Sequence, residues 1–268
     1  MSRLRQLAVV LTVVITAAAL TSLLDPTPLH IGAHLARYVQ LDEFARIVDQ
    51  IPATLAAPES LPAYTRAAAG DKSFQHNFMR IVFSDQGGPT SYSGRLTKWD
   101  KRQVRIDVLN DGGPGMDAYV RHLARRLNQM QSATHFSVVE GGADITIEFI
   151  PHTDYVVSVG EKSVGNCETR FYDGPPGLVS ARIRVDAEAL PTVDERKPVV
   201  IHELTHAIGF KGHLHAPRER SRSVLFYAAS RTSWSQNDRA AIRIMYSSNM
   251  KNGMSVSATR QALQSIAE

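Results

Sequence analysis

The chain has 268 residues, 43% of them hydrophobic and 21% charged, which excludes a disordered or low-complexity protein and gives room for one full domain plus an N-terminal extension. Its net charge of +4 is a mild excess that suits an anionic envelope surface or an acidic substrate, and no nucleic-acid motif accompanies it, so no nucleic-acid partner is expected. Cys167 is the only cysteine, which excludes an internal disulfide and leaves the fold to packing alone.

Arg3 and Arg5 precede an apolar run from Leu7 to about Leu24, with Ala17, Ala18 and Ala19 as small residues suited to cleavage. Residues 1–24 therefore read as a signal peptide or an uncleaved N-terminal membrane anchor. Either one puts the remainder outside the cytoplasm: periplasmic, secreted or held on the outer side of the membrane. Asp25-Pro26-Thr27-Pro28 is a short linker, and Leu35, Val39, Phe44 and Ile47 recur at helical spacing between His30 and Ile51. Pro52, Pro58 and Pro62 break up the next stretch of chain. Residues 25–94 are taken as an extension whose role, whether packing, stalk or inhibitory segment, stays open.

From Arg95 the pattern becomes that of an α+β domain reaching the end of the chain. Val104, Ile106 and Val108 alternate with Arg105 and Asp107 as a half-buried strand does. After the turn cluster Asp111-Gly112-Gly113-Pro114-Gly115, a helix is expected, because Met116, Val120, Leu123, Leu127 and Met130 share one face while Arg121, Arg125 and Arg126 face away. Phe136 to Val139 is a second strand, Gly141-Gly142 a turn, and Ala143 to Ile150 a third strand with clean alternation. Residues 151–176 read as a long irregular stretch, in which His152 and Asp154 make an incomplete ligand set and suit a plain surface loop better than a second metal site. Ala181 to Asp186 is the last strand, and Asp194 is the expected cap of the next helix, with Pro198 in its first turn.

That helix, expected from about Lys197 to Ile208, contains His202-Glu203-Leu204-Thr205-His206. His202 and His206 lie one turn apart on one face, close enough to chelate a single cation, and Glu203 can take a proton from a water at the cation's open position. Gly209 ends the helix in a conformation that lets the chain turn back. His213 is the nearest third ligand and the expected one, with His215 also in reach. Ser235 and Asp238 form a capping box opening a helix to Tyr246, and a short helical tail follows Gly253.

The run HExxHxxG followed by a further histidine resembles the metzincin zinc peptidases, most nearly their matrixin-like bacterial branch. The likeness extends to Gly141-Gly142-Ala143-Asp144-Ile145-Thr146-Ile147, similar to the strand beside the matrixin cleft, and to Asp238-Arg239-Ala240-Ala241-Ile242-Arg243-Ile244-Met245-Tyr246, similar to the final matrixin helix. It covers roughly Val104 to Tyr246. This chain departs from the pattern twice: His213 stands one residue later than the usual third histidine, and Leu225-Phe226 stand where metzincins carry a methionine turn. The resemblance implies an α+β zincin with a twisted mixed sheet, an active-site helix and a C-terminal helix, occupying residues 95–268. It also implies Zn2+ on His202, His206 and His213, and Glu203 as general base and then acid. Tyr227 beside the turn is either a hydrogen-bond donor to the transition state or a packing residue. The expected function is exported metalloendopeptidase acting on a peptide or protein substrate. The rival expectation is an inactive metzincin-fold interaction domain of the envelope, and an ester or amide substrate of the cell wall is a minor third.

Overall fold

Alternating apolar residues build the sheet, and helices cover the face on which they fall. A computed structural model of the chain describes residues 61–83 and 94–268, apart from positions 111, 162, 220, 221 and 229. The apolar run to Leu24, the linker after it and the helix expected from His30 to Ile51 lie outside these residues. The elements in order are α1 (Ala63–Gly70), α2 (Lys72–Phe83), β1 (Gln103–Leu109), α3 (Met116–Met130), β2 (His135–Val138), β3 (Ile145–Ile150), α4 (His152–Ser158), β4 (Gly165–Phe171), β5 (Leu178–Asp186), α5 (Val193–Ala207), α6 (Gln236–Met245) and α7 (Val256–Ala267). The strands form one sheet in the order β2-β1-β3-β5-β4. All neighbours are parallel except β4, which runs antiparallel to β5 at one edge. The architecture is thus α+β, the class that the sequence pattern implied, with a mixed, mostly parallel sheet.

On the covered face lie Val104 and Ile106 of β1, Ile145, Ile147 and Phe149 of β3, and Ile183 and Val185 of β5, all buried. Against them pack Val120, Leu123 and Leu127 of α3 and Val200, Ile201 and Leu204 of α5. Of the three α3 arginines expected to face away, Arg121 and Arg125 are exposed and Arg126 is half-buried.

Three sequence expectations need correcting. The stretch 151–176 is not irregular, since it holds α4 and the edge strand β4. An open edge shows little hydrophobic alternation: the β4 residues opposite Arg184, Arg182 and Ser180 are Asn166, Glu168 and Arg170, and the alternate positions are Gly165, Cys167, Thr169 and Phe171. The last strand starts at Leu178, three residues early. Finally, α5 starts at Val193 with Thr192 as its cap, because the Thr192 side chain accepts from the Glu195 N–H while the Glu195 carboxylate accepts the Thr192 N–H at 2.9 Å. Asp194 lies within the first turn and pairs with Lys197 at 2.8 Å, so Pro198 falls in the second turn, where it removes one helical hydrogen bond.

The core also extends back past the boundary drawn between residues 94 and 95. Residues Pro58–Glu268 form one compact unit. Phe78, Met79, Val82 and Phe83 of α2 are buried in the same core as the sheet. The Ile81 carbonyl accepts the N–H groups of Lys211 and Gly212 at 2.6 and 3.0 Å, which ties α2 to the turn after α5. The apolar residues of α2 recur at helical spacing, and α2 packs against α1 and α7.

A strap over residues 95–99 holds the end of α5 in place. Trp99 is 1% exposed and its indole N–H donates to the Ala207 carbonyl at 2.9 Å. The buried Lys98 ammonium donates to the carbonyls of Met245 and Met250 at 3.0 and 2.7 Å, gathering the C-terminal end of α6.

Candidate metal centre

Three imidazoles meet at one point. His202 and His206 come from consecutive turns of α5, and His213 comes from the returning chain after Gly209. Their Nε2 atoms are 3.2 Å apart between His202 and His206, 2.9 Å between His202 and His213, and 3.1 Å between His206 and His213. His202 Nδ1 donates to the Val224 carbonyl at 2.7 Å and His206 Nδ1 to the Phe210 carbonyl at 2.5 Å. A carbonyl oxygen only accepts, so both Nδ1 atoms carry protons. Burial lowers the pKa of His202 to about 4 and that of His206 well below the usual value, with the neighbouring imidazoles adding to the effect. Two neutral rings therefore aim Nε2 lone pairs at one spot, and a single N–H on His213 could face only one of them.

A cation removes that conflict. Tetrahedral zinc with Zn–N of about 2.0–2.1 Å sets its nitrogens about 3.3–3.4 Å apart, within a few tenths of an ångström of the spacings here. His202, His206 and His213 are thus close enough to bind a metal ion, and among the described residues no other group of three potential ligands is. His215 stands outside the triad, its ring 6.4 Å from that of His213. The one-residue shift in spacing is absorbed after Gly209, whose φ of +115° turns the chain out of the helix.

Glu203 lies one residue from the first ligand and is 7% exposed. Burial pushes its carboxyl up to about 8. The edge strand packs against it so closely that a Cβ on Gly165 would stand 2.9 Å from Glu203 Oε1 and 2.2 Å from a Val199 methyl. Cys167, two residues along the same strand, is half-buried; burial raises the pKa of its thiol, with Glu203 contributing. The turn of residues 223–226 is apolar and buried, with Val224, Leu225 and Phe226 at 2%, 1% and 5% exposure. Tyr227 follows it at 61% exposure and stacks on His215.

Asp238 has a part that the sequence did not reveal. Its carboxylate accepts the Ser223 hydroxyl at 2.7 Å and the Val224 N–H at 3.1 Å, and the Val224 carbonyl in turn receives the His202 proton. Desolvation raises its pKa, partly offset by these donors. The capping-box spacing marked Asp238 as the partner of Ser235, which it is at 2.8 Å, but nothing in the sequence showed its second oxygen-to-turn contact.

Among the described residues, His152 and Asp154 belong to no group of three potential metal ligands. His152 Nδ1 lies 2.6 Å from Asp186 Oδ2, and Asp154 is exposed. The hydrogen bond to Asp186, then its charge, raises the His152 pKa above the usual 6.5. Burial pushes Asp186 up, but the Ala189 N–H, His152 and the Glu188 N–H outweigh it and lower its pKa below 3.8. A raised histidine adds stability that is complete below the unfolded value and fades as pH climbs through the folded one. A lowered carboxylate adds stability above its unfolded value and fades as pH falls through the folded one. The pair is therefore worth most between about pH 4 and 6.5, and solvent screening of the exposed imidazole keeps it small. The gap in thermal midpoint between the parent and His152→Gln should be widest near pH 5.5 and shrink toward about pH 8.

No curated protein matches the chain. The family described as "Protein of unknown function (DUF2927)" matches residues 71–265, which run from the start of α2 into α7 and include the whole histidine triad. Most of the chain lies within that match, and the chain therefore belongs to the DUF2927 family.

Proposed function

We propose that this chain is an exported zinc-dependent endopeptidase of metzincin type, with His202, His206 and His213 holding Zn2+ and Glu203 moving the protons. The observation that carries the reading is the convergence of three Nε2 atoms, two of them held as lone-pair donors, one residue away from a buried glutamate. Three imidazoles without a thiolate suit a hydrolytic zinc site, since structural zinc sites close their fourth position with a further protein ligand. When bound, zinc supplies Lewis acidity that polarises a carbonyl and makes water acidic enough to ionise near neutral pH. Glu203 accepts the proton of the attacking water and returns it to the leaving amine nitrogen. Its burial suits that task, because a carboxyl pushed up to about 8 holds a proton between the two steps, while a neighbouring cation favours the carboxylate that starts them. Tyr227, which follows the apolar turn, is read as the donor to the developing oxyanion.

The open edge of β4 runs beside α5, and the substrate peptide is read as adding to it as a further strand. The metzincin assignment is supported by an antiparallel edge strand next to the ligand helix, by the glycine turn before His213 and by the apolar turn of residues 223–226. Export rests on the apolar run of residues 1–24. The purified full-length chain should cleave casein, lose that activity to a chelator and regain it on addition of zinc but not of magnesium. A folded chain carrying one zinc and inactive on casein would overturn the reading in favour of an interaction domain.

A further inference from the structure

We infer that His215, outside the histidine triad, is a positioning residue whose ring backs the Tyr227 phenol. The inference rests on the peptidase reading above. Leu214 and Phe226 form a parallel bridge, closed by the Leu214 N–H donating to the Leu225 carbonyl at 2.8 Å and the Tyr227 N–H donating to the Leu214 carbonyl at 3.1 Å. The side chains of Leu214 and Phe226 are buried, at 4% and 5% exposure, so the residues flanking them in extended chain point to the other side. On that side His213 comes first, within the triad, and His215 comes next. Across from His215 stands Tyr227, the two rings 5.5 Å apart and 18° from parallel, within the offset-stacked range of aromatic pairs.

The phenol has few other supports. The residue is 61% exposed, and among the described residues its one further ring contact is with Phe226, its chain neighbour, at 4.6 Å. An exposed tyrosine spreads over several staggered rotamers, whereas a ring stacked along its length is confined to one. The bridge sets both backbones, so the stack is in place before any substrate arrives. A group that donates to charge developing in a transition state needs this, because reorientation during the reaction would cost rate. His215 acts here through its flat face rather than through its proton.

The test compares His215→Ala, His215→Phe, Tyr227→Phe and the His215→Ala/Tyr227→Phe double variant of the full-length zinc-loaded chain, on a peptide spanning a casein cleavage site. His215→Ala should lower kcat about two- to tenfold with KM and zinc content unchanged. His215→Phe should restore most of the loss, and His215→Ala should have no further effect in the Tyr227→Phe background. Failure of phenylalanine to rescue, a rise in KM in place of the fall in kcat, or multiplying losses in the double variant would overturn the inference. A parent with no Glu203-dependent cleavage sinks the peptidase reading and this inference with it. A cleaving parent that is indifferent to His215→Ala sinks the stack alone.

Discussion

Glu203→Gln should leave the zinc content of the protein unchanged and lower casein hydrolysis by about 10²- to 10⁴-fold, the usual worth of a positioned general base. Glutamine has the same length and shape, so it fits the space that Gly165 and Val199 leave for the native side chain. It cannot accept a proton. Metal analysis and hydrolysis measured on the same preparation separate the two roles: the three histidines hold their ion while the reaction stops. Equal activity in parent and variant would remove Glu203 from the mechanism.

Gly209→Ala should cost about 2–5 kcal/mol of stability, a large share of what a domain of this size has. Two effects add. A φ of +115° is strained for any residue with a Cβ. The added Cβ would also stand 2.3 Å from the Thr97 carbonyl oxygen and 3.3 Å from the Lys98 Cα, both backbone atoms of the strap that holds the end of α5. Neither can swing aside as a flexible side chain would. Because residue 209 opens the turn that presents the Phe210 carbonyl to His206 and then His213, zinc affinity should fall along with stability. Gly141→Ala is the control, since its φ of +75° lies in open space and only the backbone penalty applies. Denaturant unfolding of the three proteins checks the ordering, and equal losses at the two glycines would rule out the clash.

Legibility in the sequence followed burial. The five apolar residues that marked the helix after the glycine cluster all lie in α3, and β1 to β3 fall within two residues of where the alternation put them, because each buries one face more than the other. β4 escapes sequence reading for the opposite reason: none of its residues is fully buried, and Gly165-Asn166-Cys167-Glu168 carry no apolar rhythm. α1 and α2 read as part of an extension because the α+β pattern starts only at Arg95, and the carbonyl of Ile81 bonding across to Lys211 and Gly212 is a contact no local pattern encodes.

The meeting of the three histidines was legible because helical spacing sets His202 and His206 together and Gly209 marks the return to His213. The partners that orient them were not. Val224 and Phe210 act through backbone carbonyls, which every residue has, and Asp238 reaches the Val224 turn through a fold-level contact. Spacing alone leaves His215 as an alternative ligand to His213, whereas the bridge between Leu214 and Phe226 carries it one step past the triad and onto Tyr227.

Metal content decides the central claim. The purified full-length chain should carry one zinc ion per molecule, and the His206→Ala protein, refolded and handled identically, should carry almost none. A native chain that is folded, metal-free and unable to take up zinc would contradict the account, because the lone pairs of His202 and His206 would then face each other for no chemical purpose.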